Sequence, residues 1–257
     1  MLQSAQEKKE TKHQIFNEEQ LVGVNLNLAP KHVAIIMDGN RRWANQHNLP
    51  FELGYVKGAV RLKEVVQAAI ELNILTLTAY AFSTENWKRP DKEVENLLGL
   101  FKEYLIAECD QMVKHGVRLT VIGNVSAFND DLKEAISATQ KATQAGTKLN
   151  LVLALNYGGR DDIRRALTRI SQDCVDKKLQ TSDISEALIG QYLDTSNFED
   201  PDLLIRTSGE FRLSNFLIWQ LAYTEVSILK DFWPDFSAEH LLCVVKNYVN
   251  RERRCGV

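Results

Sequence analysis

Asp38-Gly39-Asn40-Arg41-Arg42-Trp43 follows the short apolar run Val33 to Met37 and sets a carboxylate, a glycine and two adjacent arginines side by side. A strand that turns into a helix through glycine leaves backbone N–H groups free at the helix start. Two guanidinium groups beside them make a seat for a phosphate. Asp38 on its own repels that anion, so its presence suggests a divalent cation between the two, magnesium being the ordinary choice. The segment alone also reads as a helix N-cap, Asp38, with arginines on the surface. A second group, Arg206, Arg212 and Ser214, could converge guanidinium forks and a hydroxyl on another diphosphate, or could form structural ion pairs. Glu225, on the rim of the last apolar run, could add a carboxylate to a metal site or be simply exposed. Ser83, Glu85 and Asn86 follow a further apolar run with no His or Cys partner, which gives no support to a nucleophilic triad. The chain has no G-x-x-x-x-G-K-[ST] loop, and Gly158-Gly159 is too little for a dinucleotide fingerprint.

These residues need a frame that brings them together. Strand-like runs fall at Val33 to Met37, Leu75 to Phe82, Arg118 to Gly123, Leu149 to Asn156, Asp202 to Thr207 and Val226 to Leu229. Several are almost continuously apolar, as strands buried on both faces of a parallel sheet must be. Helical periodicity lies between them. Ala59, Leu62, Val66, Ala69 and Ile70 share one face, as do Val94, Leu97, Leu98, Phe101, Tyr104 and Leu105. The alternation predicts an α/β fold with a single open, mainly parallel sheet flanked by helices. Ligands of such sheets bind beyond the carboxyl ends of the strands, and the polar segments of this chain come directly after strands. Residues 1–30 lack periodicity and end at Pro30, which predicts a mobile N-terminal arm before a catalytic domain spanning 31–257. The last helix, Ser237 to about Asn250, is amphipathic through Leu241, Val245 and Tyr248, and delivers the basic tail Arg251-Glu252-Arg253-Arg254.

The bulk numbers exclude more than they assign. The 257 residues are 44% hydrophobic and 25% charged with a net charge of −3, which fits one ordinary globular domain and gives no nucleic-acid signature. Cys109, Cys174, Cys243 and Cys255 are scattered without metal-ligand spacing and read as reduced thiols. The polar N-terminus lacks a secretion signal and no long apolar run follows, so a cytoplasmic location is expected. Peripheral contact with the inner face of a membrane is compatible with that location.

Four segments carry a specific resemblance: HVAIIMDGNRRWA (His32 to Ala44), YAFSTENWKRP (Tyr80 to Pro90), LNYGGRDDI (Leu155 to Ile163) and DLLIRTSGEFRLSNFLIWQLAYTE (Asp202 to Glu225). Together they resemble the cis-prenyltransferases, the isoprenyl transferase family that includes bacterial undecaprenyl diphosphate synthase. The trans-type prenyl synthases are disfavoured, because Arg165 stands where the last aspartate of their D-D-x-x-D motif would follow Asp161-Asp162.

The resemblance implies a homodimer, a six-stranded sheet and an apolar product tunnel. It implies that Asp38 is the essential carboxylate near Mg²⁺, and that Gly39, Asn40, Arg41 and Arg42 hold the diphosphate of an allylic primer with Trp43 bordering it. By the same resemblance Arg206, Arg212 and Ser214 match the isopentenyl diphosphate site, Glu225 is metal-linked, and Ser83 and Asn86 lie where a proton leaves. Phe82, Glu85, Trp87 and Arg89 complete the substrate-binding set of that segment, with the aromatic residues facing substrate. Arg254-Cys255-Gly256 matches a terminal R-x-G, in which Arg254 and Gly256 reach the partner's active site. Farnesyl diphosphate as primer, an undecaprenyl product and a role as cell-wall lipid carrier precursor are the expected specifics.

Three positions depart from the bacterial pattern. Arg41 stands where D-G-N-G-R has its second glycine, and Phe51 and Tyr55 replace an arginine and a histidine of the phosphate environment. Arg41 is then a candidate to restore lost positive charge. The rival readings are a noncatalytic partner subunit, which typically lacks D-G-N-R-R, and a phosphate-ester hydrolase.

Overall fold

The structure is a computed structural model that describes residues 14–251. Six strands form one sheet: β1 (His32–Ile36), β2 (Thr76–Ser83), β3 (Val117–Ile122), β4 (Leu149–Tyr157), β5 (Leu203–Arg206) and β6 (Glu225–Ile228). Their order is β3-β4-β2-β1-β5-β6 and every pairing is parallel, so the sheet is wholly rather than mainly parallel. Each predicted strand is present with its ends moved by a residue or so. The helices are α1 (Glu18–Leu21), α2 (Asn40–Gln46), α3 (Phe51–Glu71), α4 (Asp91–His115), α5 (Asp130–Thr143), α6 (Gly159–Val175), α7 (Glu186–Tyr192) and α8 (Ala238–Val249).

The period-2 geometry of the strands sorts their side chains into two cores. Val33, Ile35, Leu77, Leu151, Leu153, Leu203 and Ile205 share one core with α3, α4 and α8. Ala34, Ile36, Val152, Ala154 and Leu204 face the other side, against Phe216 and Leu217. Burial on both faces accounts for the near-continuous apolar runs. The register of β2 against β4 shifts after Tyr80, and this bulge sets Ala81 and Phe82 on the same core where strict alternation would separate them.

The segment read as an arm before Pro30 joins the domain well before that residue. Phe16 is 1% exposed and belongs to the core, and the N–H groups of Ile15 and Phe16 donate to the Glu71 carboxylate at 2.8 and 3.0 Å. One aromatic residue in a polar stretch has no periodicity to announce it. Cys109, Cys174 and Cys243 are free thiols, as expected. Among the described residues no helix is long and apolar enough to cross a membrane.

Candidate active site

β2 and β5 flank β1, and the loops beyond the carboxyl ends of these three strands meet over one cavity of about 490 Å³. Ile36 is in register with Arg206, so the turn after β1 lies beside the end of β5. Gly39 makes that turn with φ at 108°, a conformation that L side chains rarely adopt. A Cβ there would sit 2.3 Å from Ser208 Oγ and 2.8 Å from the Phe232 ring. No side chain caps α2, which leaves its first-turn N–H groups available to a ligand.

Asp38 is the hub. Its Oδ1 accepts from Arg42 at 3.0 Å and its Oδ2 from Arg206 at 2.8 Å, while its backbone carbonyl accepts from Thr207 Oγ1 at 2.7 Å. Burial alone would raise its pKa, but the hydrogen bonds from Arg206 and Arg42 outweigh it and hold the carboxyl below the ordinary range. Arg206 is only 3% exposed and also donates to Ser214 Oγ at 2.8 Å and to the Arg212 carbonyl. Its Nε is buried with no partner, a donor left for a ligand. The two anion seats read separately from the sequence are therefore one connected site.

Four arginines, Arg41, Arg42, Arg89 and Arg206, line the cavity against a single carboxylate, Asp38. Asn40, Ser83, Asn86 and Ser214 also line it, and Asn86 Oδ1 accepts from the Ser83 N–H at 2.9 Å. Apolar groups make up the rest, among them Ala59, Leu62, Leu97, Leu100, Phe101 and Leu153. A cationic rim joined to an apolar interior suits an amphiphile with an anionic head.

Several expected site residues do not line the cavity. Trp43 is absent from the lining; its indole N–H donates to Asp235 at 2.8 Å and its ring packs on His47. Phe82 lies in the core at 0% exposure, where it packs edge-on against Trp87 and Phe101, while its neighbour Ala81 lines the cavity. Trp87 donates to Asn156 at 2.8 Å, and Glu85 accepts from Asn215 at 2.9 Å, so both are tied to the neighbouring loops. Arg212 contributes its backbone carbonyl to Arg206 while its guanidinium pairs with Glu210.

Glu225 stands apart from Asp38 within the chain. It begins β6, level with Leu203 and Val33 near the start of β1, whereas Asp38 follows the opposite end of β1, which closes at Ile36. The structure does not bring the two carboxylates together within one chain, and Glu225 pairs with Arg251 at 2.8 Å. Arg254 and Gly256 lie outside the described residues.

Sequence reasoning missed two carboxylates. Glu210 accepts from Arg42 at 2.8 Å and pairs with Arg212, linking the two loops; its place between Arg206 and Arg212 was the available signal. Glu93, in the first turn of α4, pairs with both Arg41 and Arg89 and carried no signal beyond its charge.

Among the described residues no three His, Cys, Asp or Glu side chains gather as a metal cage. The donor set still fits Mg²⁺, which is usually held by one or two carboxylates together with substrate phosphates and water. Asp38 is the residue that would hold it.

The architecture is a wholly parallel α/β sheet with an arginine-rich rim over an apolar cavity. The sequence model of the family described as "Putative undecaprenyl diphosphate synthase" matches residues 36–256. The isoprenyl transferase of Chlamydia caviae is 46% identical over 94% of this chain and 98% of its own length. That of Geobacillus kaustophilus is 46% identical over 88% of each chain. Lavandulyl diphosphate synthase from Lavandula x intermedia, solved with dimethylallyl diphosphate, superposes with a TM-score of 0.86 at 35% identity, over 88% of this chain and 98% of that one. A "probable undecaprenyl diphosphate synthase" of Campylobacter jejuni gives a TM-score of 0.75 at 33% identity, over 89% and 99% of the two chains. The chain belongs to this prenyltransferase family, enzymes of isoprenoid biosynthesis that elongate cis-prenyl chains.

Proposed function

We propose that the chain condenses isopentenyl diphosphate with an allylic diphosphate, farnesyl diphosphate first among them, to build a long polyprenyl diphosphate such as the undecaprenyl compound. The observation that carries this reading is the hydrogen-bonded run Arg42–Asp38–Arg206–Ser214, which joins two anion seats at the mouth of an apolar cavity. Condensation needs two diphosphates side by side, and holding them in one site converts a bimolecular encounter into a positioned one.

The reaction breaks the allylic C–O bond, releases pyrophosphate, joins the allylic carbon to the terminal alkene carbon of isopentenyl diphosphate and loses a proton. In this reading Arg41, Arg42 and the first turn of α2 bind the leaving diphosphate, where negative charge grows in the transition state. Arg206 and Ser214 bind the isopentenyl diphosphate. Ser83 and Asn86, on the cavity wall, lie near the departing proton. Mg²⁺ held by Asp38 would supply further charge neutralisation for pyrophosphate departure. The apolar lining receives the growing hydrocarbon, whose burial is favourable by about 0.8 kcal/mol per CH₂.

A homodimer completed by Arg254 and Gly256 belongs to the proposal, as do use of the product in a cell-wall lipid carrier and its release at a membrane surface. Incorporation of labelled isopentenyl diphosphate with farnesyl diphosphate and Mg²⁺, read by mass spectrometry, tests the reading. A metal-dependent ladder of polyprenyl products is expected. No incorporation by a folded protein with any allylic primer would overturn it in favour of a noncatalytic subunit.

A further inference from the structure

Beside the Asp38 hub lies a second cluster on the cavity rim, built from α2, α3 and α4. Glu93 is 3% exposed and accepts from two arginines: its Oε1 takes Arg89 at 3.0 Å and its Oε2 takes Arg41 at 3.2 Å. The two arginines are held differently. Arg89 also donates to Tyr55 Oη at 2.5 Å, which ties it to α3 as well as to Glu93. Arg41 is 58% exposed, and its other contact is a cation–π approach of 5.7 Å to the Phe51 ring.

We propose that Glu93 is a positioning residue that sets primer affinity by competing with the allylic diphosphate for Arg41. The inference rests on the proposed condensation reaction. When Arg41 turns from Glu93 to a diphosphate, Glu93 keeps Arg89, and Tyr55 keeps Arg89 in place. The buried carboxylate is then never left unpaired, which is the circumstance that makes breaking such pairs costly. Arg41 gives up one long contact from a solvated position, where ion pairs are weak. It gains an oxyanion of higher charge that can accept both arms of the guanidinium fork. Glu93 thus holds Arg41 at the rim when the site is empty and lowers primer affinity by the free energy of that contact.

The test is calorimetric titration of the full chain with a non-reacting thiolo analogue of farnesyl diphosphate. Glu93→Gln should tighten binding by about 1.5- to fivefold, the range for a weak ion pair of this kind. Arg41→Ala should weaken it. In the Arg41→Ala background, Glu93→Gln should change nothing, because its target is gone. Glu93→Asp gives a second route that retains the charge: a carboxylate shortened by one methylene draws back from the exposed Arg41, while Tyr55 still holds Arg89, and should tighten binding too. In turnover the gain should fall on primer KM with kcat unchanged, whereas a merely structural role for Glu93 would lower kcat and thermal stability together. Unchanged or weaker analogue binding in Glu93→Gln, or an equal change in both backgrounds, overturns the proposal while leaving the enzyme reading intact. Failure of the wild type to bind any allylic diphosphate overturns both.

Discussion

Replacing Asp38 by Asn keeps the side-chain volume and removes the charge that holds Arg42 and Arg206 together. Arg206, 3% exposed, then retains Ser214 and the Arg212 carbonyl but loses its anionic partner. Breaking a fully buried pair costs about 3–5 kcal/mol. Asp38 is 26% exposed and Asn still offers one acceptor, so a loss of about 1–2 kcal/mol in folding stability is expected. The kinetic effect should be larger, about 10² to 10³ in kcat, as when a preorganised electrostatic group is removed. Binding of the diphosphate in the absence of metal should hold or tighten, because a like charge has gone.

The pH dependence gives an independent check on Asp38→Asn. The folded pKa of Asp38 is depressed, so its contribution is present above the unfolded value of about 3.9 and is lost as pH falls through the lower folded value. The gap in Tm between wild type and Asp38→Asn should persist at neutral pH and close below about pH 4. Thermal melts across pH and steady-state turnover read the two effects. Wild-type kcat in the variant, or a Tm gap that ignores pH, would mean that Asp38 does not hold Arg42 and Arg206 in this way.

Three further substitutions probe the frame. Gly39→Ala forces a Cβ into Ser208 and Phe232 at a positive φ, and should cost at least about 2 kcal/mol by urea denaturation; a neutral result would mean the turn has another conformation. Phe16→Ala should lose about 3 kcal/mol, and limited proteolysis should then cut the segment before β1 more rapidly; wild-type stability would place that segment outside the core. His32 is buried, with Nδ1 2.6 Å from the Glu199 carbonyl and Nε2 2.7 Å from Thr78 Oγ1, and its pKa is lowered to about 4, chiefly by burial. The unfolded chain then binds a proton that the folded one refuses, so the stability gap between wild type and His32→Asn should shrink by roughly 3 kcal/mol from pH 6.5 to 4. A gap independent of pH over that range would contradict the assignment.

The strands were legible because a parallel sheet covered on both faces leaves little room for polar side chains, as in β1 and β4. The Asp38 and Arg206 loops were legible because they follow such strands. What escaped was decided by tertiary geometry. A one-residue bulge after Tyr80 turned Phe82 into the same core as Ala81, and no local pattern marks it. Glu225 lies on the same run as a strand, but strand direction puts it at the amino edge rather than the carboxyl edge. Glu93 and Glu210 each pair with one arginine near in sequence, Arg89 and Arg212, but their links to Arg41 and Arg42 on α2 span long stretches of chain, and a lone acidic residue in a helix or loop looks like any solvated charge. Phe16 reaches the core through the Glu71 carboxylate at the end of α3, a contact spanning more than fifty residues.

In the proposed reaction one site holds two diphosphates and expels pyrophosphate only as a carbon–carbon bond forms. Simultaneous measurement of pyrophosphate release and isopentenyl incorporation tests it most directly. One pyrophosphate is expected for each isopentenyl unit added, and none from either substrate alone. Release of inorganic phosphate, or of pyrophosphate without isopentenyl diphosphate, would contradict it and point to a hydrolase built on the same sheet.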